Sequence, residues 1–275
     1  MANTFKVGEI EISVVSDGEA RVKGTEYFPA SAPATWESHK ALLDDEGFLT
    51  NPFTCFVVRS GGKKILIDTG LGPMQVPRSW LRGGDLMGEL ASLGIQPGDI
   101  DTVFITHLHP DHCGSAALRD ESNELQIAFP NATYRWTSAE QTYWSGEVPP
   151  QQIARRDIFA AIAPRWQAAE GGASLAPGVD VYAIPGHTPG HAAVVVSSGT
   201  ERAFILGDAI ACPAQLSEAE WSSTGDVDPK LARAGQEAVL KEAEASGSLL
   251  RGSHFPGLSF GRVMRGEGKR YWSAT

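Results

Sequence analysis

The sequence has few of the features that would define a small, secreted or membrane-bound protein. Cysteine occurs three times, at Cys55, Cys113 and Cys212, scattered and odd in number. That argues against a disulfide scaffold and fits a reducing cytosol. No apolar run is long enough to span a bilayer, so no membrane association is expected. The opening MANTFKVGEIEISVVSDG has no basic start and no long apolar centre, so no secretory signal is visible and a cytoplasmic location is expected. Cations are the minority: 23 Lys and Arg face 33 Asp and Glu, a net charge of −10. Two bound divalent cations would still leave about −6 (−10 + 4). Nothing resembles a basic stripe that could track phosphates, so nucleic acid is not an expected partner. Histidine is scarce as well, with seven in the chain.

At 275 residues, with 42% hydrophobic and 20% charged residues, the chain can bury a substantial core. It reads as one domain over 1–275. Residues 5–16 alternate well enough for one strand or two short ones. TCFVVRS (54–60) and KKILIDTG (63–70) flank Gly61-Gly62 and read as a hairpin. Residues 84–95 place Leu86, Leu90 and Leu93 on one helical face. Strands are expected at 101–105 and 132–138. Thr137 and Glu140 have the spacing of a capping box. Residues 152–170 read as a long helix holding Ile153, Phe159, Ile162 and Trp166, with its aromatics packed in the core. Later strands are expected at 179–184, 192–198, 202–208, 248–255 and 269–274. A helix over 228–247 would be capped by Asp228, opened by Pro229 and ended by Gly247. This order suits two sheets packed face to face with helices outside.

THLHPDHCG (106–114) places three of the seven histidines within six residues, directly after an apolar strand. Pro110 is expected to keep the stretch out of regular strand or helix, so these side chains would sit on a loop, where sites are usually built. Neutral imidazole is a common ligand for borderline metals such as zinc. His187 and His191 in PGHTPGH, Asp208 in LGD and His254 in RGSHFP also follow predicted strands. If the strand ends converge, His107, His109, Asp111, His112, His187, Asp208 and His254 form a seven-membered candidate set, which is what two metal ions need. His191 is not required in it and would support a ligand or the fold. Asp68 could accept a hydrogen bond from a ligating imidazole and fix its tautomer, or be a turn residue before Gly70. His39 has no partner in the sequence and reads as a surface residue. Cys113 and Cys212 read as packing.

The chain resembles the metallo-β-lactamase superfamily of hydrolases. The resemblance is carried by Asp68 in IDTG, the H-x-H-x-D-H run from His107 to His112, His187 in GHTPGH, Asp208 in LGD, and His254, in the family's order. It implies an α/β fold, a four-layer αββα sandwich of two mixed sheets. It implies one metal held by His107, His109 and His187, a second held by Asp111, His112 and His254, and Asp208 bridging both. Zn²⁺ suits this mix of imidazole and carboxylate best, with Fe, Mn or Co as alternatives. The implied enzyme is a dinuclear metal-dependent hydrolase using a metal-bridging hydroxide, with Asp111 passing a proton to the leaving group.

The proportions and the ending GSHFPGLSFGRV look most like the branch of lactonases and methyl-parathion-hydrolase-type enzymes, so the expected substrate is a small neutral ester or lactone. Alternatives are an organophosphorus triester hydrolase, a thioesterase of the glyoxalase II type, and a binding protein that retains its metals. A homodimer is among the expectations. The acyl-homoserine lactonases place a tyrosine three residues after the bridging aspartate to assist the oxyanion; here Ala211 stands there. Either another residue supplies that help or the substrate differs. Residues 24–53 carry Tyr27, Phe28, Trp36, Phe48 and Phe53. They read either as a surface loop or as a lid, pocket wall or dimer arm.

Overall fold

The computed structural model describes residues 3–75, 80–147 and 156–275. Runs rich in Val, Ile and Phe form two large mixed sheets. Across the first, the strands run Trp166–Ala168, Thr133–Trp136, Thr102–Phe104, Lys63–Ile67, Leu49–Ser60, Ile10–Val22, Leu81–Gly83 and Met74–Gln75, with Asn3–Val7 also paired to Ile10–Val22. Thr102–Phe104 is parallel to both its neighbours, while Leu49–Ser60 pairs antiparallel with both Lys63–Ile67 and Ile10–Val22. Across the second sheet lie Ser174–Ala176, Val179–Ala183, Ala192–Ser198, Glu201–Ile205, Leu249–Arg251, Gly261–Gly266 and Lys269–Ala274. Here only Glu201–Ile205 and Leu249–Arg251 run parallel, because the helix Pro229–Ser246 returns the chain between them.

The strands are apolar on both faces because both faces are covered. Val14, Phe56, Val58, Ile65, Ile67 and Phe104 meet Val179, Val181, Val194, Val196 and Ile205 between the sheets. Their strand neighbours Val15, Cys55, Val57, Leu66 and Val103 point the other way, onto Leu86, Leu90, Trp144 and Ile158 of the helices over the first sheet. Val195 and Phe204 likewise turn outward to Val239, Leu240 and Ala243 of the helix Pro229–Ser246. The result is the metallo-β-lactamase fold: helix, sheet, sheet, helix. Among the described residues no helix is long and apolar enough to cross a membrane.

Three local expectations need correction, and one strand was not expected. The stretch 152–170 is not one helix. Residues 152–155 lie outside the described residues, Arg156–Ile162 is helical, a 3₁₀ turn carries Pro164, and Trp166–Ala168 is a strand. Pro164 cannot continue the helical ladder, and an open parallel edge beside Thr133–Trp136 then takes up Trp166–Ala168. The strand Gly261–Gly266 is not evident from its polar composition. Pro110 does not exclude a helix; it opens the short helix Pro110–Cys113, where its missing N–H costs nothing. His39 is only partly exposed, lying edge-on to Trp36 and Trp221.

The long helix behaves as its sequence requires. The Asp228 carboxylate accepts from the Leu231 N–H at 3.0 Å, Pro229 opens the helix, and Gly247 ends it at φ 60°. Asp228→Ala should therefore lower unfolding free energy by about 1 kcal/mol in urea denaturation, with metal content unchanged.

Candidate metal centre

The candidate ligands meet because the strands that carry them end at one edge of the sandwich. Ile67 pairs with Phe104, so Asp68 and the 106–112 turn leave the first sheet side by side. Ile205 pairs with Arg251, so Asp208 and His254 each lie three residues beyond a common register. His187 follows the strand Val179–Ala183 of the same sheet.

Two groups of ligand atoms result. His109 Nδ1 lies 2.9 Å from His107 Nε2 and 3.0 Å from His187 Nε2. On the other side, His254 Nε2 is 3.4 Å and His112 Nε2 is 3.8 Å from Asp111 Oδ2. Asp208 stands between the groups: Oδ1 is 3.2 Å from His112 Nε2, and Oδ2 is 3.2 Å from His254 Nε2 and 3.4 Å from His187 Nε2. Within each of the triads His107–His109–His187, His107–His112–Asp208 and Asp111–His112–His254, the donor atoms lie within 4.8 Å of one another.

The far side of each ring sets what the near side can do. His112 Nδ1 is 2.7 Å from the Asp68 carboxylate, His187 Nδ1 is 2.8 Å from Asp226, and His254 Nδ1 is 2.9 Å from the Pro52 carbonyl. Those oxygens can only accept, so each Nδ1 carries the proton and each inward Nε2 presents a lone pair. His107 Nδ1 has Thr106 Oγ1 at 3.2 Å, and that hydroxyl is itself spent on Asp68. Burial keeps His107 well below the usual histidine range and therefore neutral.

This donor set fits a pair of divalent cations. Two buried atoms aimed at the shared space, His112 Nε2 and Asp208 Oδ1, have no hydrogen-bond partner among the described residues. Leaving buried polar atoms unpaired costs about 1–3 kcal/mol each, and a metal ion would satisfy both.

Buried polar groups brace the ligands from behind. Asp68 is held at φ 60°, a conformation few residues other than glycine adopt, and its carboxylate accepts from the Thr106 N–H as well as meeting His112. His191 lies behind the centre and is pushed down to about 3, chiefly by burial and then by His187. Its neutral ring contacts the Ile184 carbonyl through Nδ1 and accepts the Asp208 N–H at Nε2. Arg251, fully buried, donates to the carbonyls of Phe255, Gly257 and Ser259 and so clamps the turn that carries His254.

Two supporting carboxylates were not recognised in the sequence. Glu140 does not close a capping box. Thr137 caps the helix, but the Glu140 carboxylate instead accepts from the Leu108 and Gly190 N–H groups, Trp144 Nε1 and Thr188 Oγ1. One buried side chain thereby ties the loop carrying His107 and His109 to the loop carrying His187. Gly190 is required there, since a Cβ would sit 2.1 Å from the Glu140 nitrogen. Asp226 lies in SSTGDVDP and is fixed by the Ser223 N–H and hydroxyl. Beside it, a Cβ on Gly225 would sit 2.7 Å from His187 Cε1.

A cavity of about 220 Å³ opens over the centre. Among the described residues its wall consists of Tyr27, His109, Pro110, Asp111, His187, Asp208, Thr224, Gly225 and His254. Tyr27 brings the 24–53 stretch into that wall. The aromatics behind it, Phe28 and Trp36, are buried with Trp221, Ala211 and Cys212. Cys113 is buried in the core with its sulfur toward the Leu108 carbonyl.

A family model described as the metallo-beta-lactamase superfamily matches residues 52–249, and the chain belongs to that superfamily. Among its curated relatives, an N-acyl homoserine lactonase of Bacillus thuringiensis is 23% identical over 224 residues, 74% of this chain and 83% of that protein. Metallo-beta-lactamase domain-containing protein 1 of Homo sapiens is 28% identical over 180 residues, 66% of this chain and 55% of that one. The fold is shared with AidC, a dizinc quorum-quenching lactonase solved in complex with a product, at a TM-score of 0.86 and 24% identity over 100% of this chain and 97% of that one. It is shared too with AbOPH, a hydrolase in the beta lactamase superfamily, at 0.82 and 23% over the same shares.

Asp226→Ala frees the His187 ring to turn and should weaken metal affinity about 10–100-fold, measured by competition with a chromogenic chelator. Glu140→Gln sets an amide N–H₂ against two donors and should lower unfolding free energy by about 1–3 kcal/mol. Wild-type affinity in the first or wild-type stability in the second would contradict these roles.

Proposed function

We propose that the protein is a dinuclear metal-dependent hydrolase, of lactonase or esterase type, acting on a small neutral ester or lactone. The observation that carries this reading is the pair of inward-facing donor groups sharing Asp208 at the floor of the cavity. Two divalent cations held there, Zn²⁺ best matched by the donors, would supply Lewis acidity and hydroxide at neutral pH. His107, His109 and His187 would hold one, Asp111, His112 and His254 the other, and Asp208 both. Asp111 has the most open side chain among the carboxylates of the set, 24% exposed against 4% for Asp208. It is therefore the group placed to take a proton from the attacking water and pass it to the leaving oxygen.

Recognition favours an uncharged substrate. Among the described residues the cavity wall carries no lysine or arginine to pair with a phosphate or carboxylate. The chain's net charge of −10 would slow the approach of a polyanion. The lactonases among the relatives favour a cyclic ester within this class. An uncharged phosphotriester fits the same wall and is the second reading.

On one metal-loaded preparation, specificity constants for a compact lactone and an aryl ester should exceed that for a glutathione thioester. A preference for the thioester by more than about tenfold, roughly 1.4 kcal/mol in transition-state binding, would overturn the choice of substrate. Asp208→Ala should lose both hydrolysis and bound metal; a variant that kept both would contradict its shared role.

A further inference from the structure

We propose that the Tyr27 hydroxyl donates a hydrogen bond to the carbonyl oxygen of the bound ester or lactone, making it a catalytic group supplied by the amino-terminal segment. The inference rests on the hydrolase reading above and names a residue that performs part of that reaction.

Tyr27 lines the cavity together with Asp111, Asp208 and His254, and is the only phenol in that wall among the described residues. Its hydroxyl has no hydrogen-bond partner among the described residues, so it can serve a ligand. The residue is held firmly. Its N–H donates to the Lys23 carbonyl and its own carbonyl accepts the Thr224 N–H, both at 3.0 Å. Thr224 is two residues from Asp226, the group that orients His187. The Tyr27 ring meets Phe28 edge-on at 4.8 Å, and Phe28 is fully buried against Trp36 and Trp221. Such a donor has little freedom to lose when substrate binds, which is what makes a hydrogen bond effective in a transition state.

The phenol is a donor and not an acid. A tyrosine phenol ordinarily titrates at about 10, so at neutral pH it keeps its proton. As the water oxygen adds to the acyl carbon, one proton goes to Asp111 and the carbonyl electron pair moves onto the oxygen facing Tyr27. When that pair returns, the acyl–oxygen bond breaks and the leaving oxygen takes the proton from Asp111. Tyr27 holds the oxygen through both steps and is unchanged at the end.

Ala211 is not part of the cavity wall among the described residues. It cannot donate from its side chain, and it is buried in the same cluster as Phe28 and Trp36.

The test is Tyr27→Phe, which keeps the ring and removes the donor. Two properties are followed on the metal-loaded protein: ester or lactone turnover, and calorimetric binding of methyl phenylphosphonate, a tetrahedral monoanion. The expected result is a fall in kcat of about 10²–10³-fold with KM little changed. Phosphonate affinity should fall about 10–100-fold, while metal content and thermal midpoint stay at wild type. Wild-type turnover and wild-type phosphonate affinity in the variant would overturn the proposal, as would loss of metal that accounts for the whole defect. A wild-type protein that hydrolyses no ester or lactone, yet binds the phosphonate in a Tyr27-dependent way, would refute the hydrolase reading and leave Tyr27 as an oxyanion donor.

Discussion

Asp208 is the one group on which both halves of the centre depend. Its two oxygens lie within 3.2–3.4 Å of ring nitrogens from three separate loops, His112, His187 and His254. One of those loops leaves the first sheet and two leave the second. The sandwich therefore has to align the ends of both sheets before the centre can exist. Register does this: the parallel pairs Lys63–Ile67 with Thr102–Phe104, and Glu201–Ile205 with Leu249–Arg251, send their next residues to the same edge.

Alignment alone would leave soft loops, and the chain stiffens them with buried polar contacts rather than apolar packing. Asp68, Glu140, Asp226, His191 and Arg251 each stand behind a ligand or its loop and are almost wholly hydrogen-bonded within the protein. An unmet buried donor or acceptor costs about 1–3 kcal/mol, so each of these contacts strongly disfavours other loop positions. The rings are thereby fixed in tautomer as well as place. The cavity above them inherits that rigidity through Tyr27 and Thr224.

Much of this was legible in the sequence because it is local. The run from His107 to His112 is contiguous, and the strands around it are short apolar stretches bounded by turns. His187, Asp208 and His254 could be added because each follows a strand. Glu140 and Asp226 were not legible because their meaning lies in distant partners. Glu140 sits 32 residues from Leu108 and 48 from Thr188, and Asp226 sits 39 from His187. Locally they read as a cap and a turn aspartate. The expected helix over 152–170 failed for a related reason. Its aromatic spacing suits a helix, but a free sheet edge beside Thr133–Trp136 decides the conformation of Trp166–Ala168. Tyr27 was visible only as one aromatic in a long segment until the fold set it over Asp111 and Asp208.

The central claim is a two-metal centre whose halves are joined by Asp208, and anomalous diffraction from crystals of the zinc-loaded protein tests it most directly. The account predicts two strong peaks about 3.5–4 Å apart, one beside His107, His109 and His187, the other beside Asp111, His112 and His254, with Asp208 touching both. A single peak at full occupancy, or two peaks of which only one contacts Asp208, would contradict it.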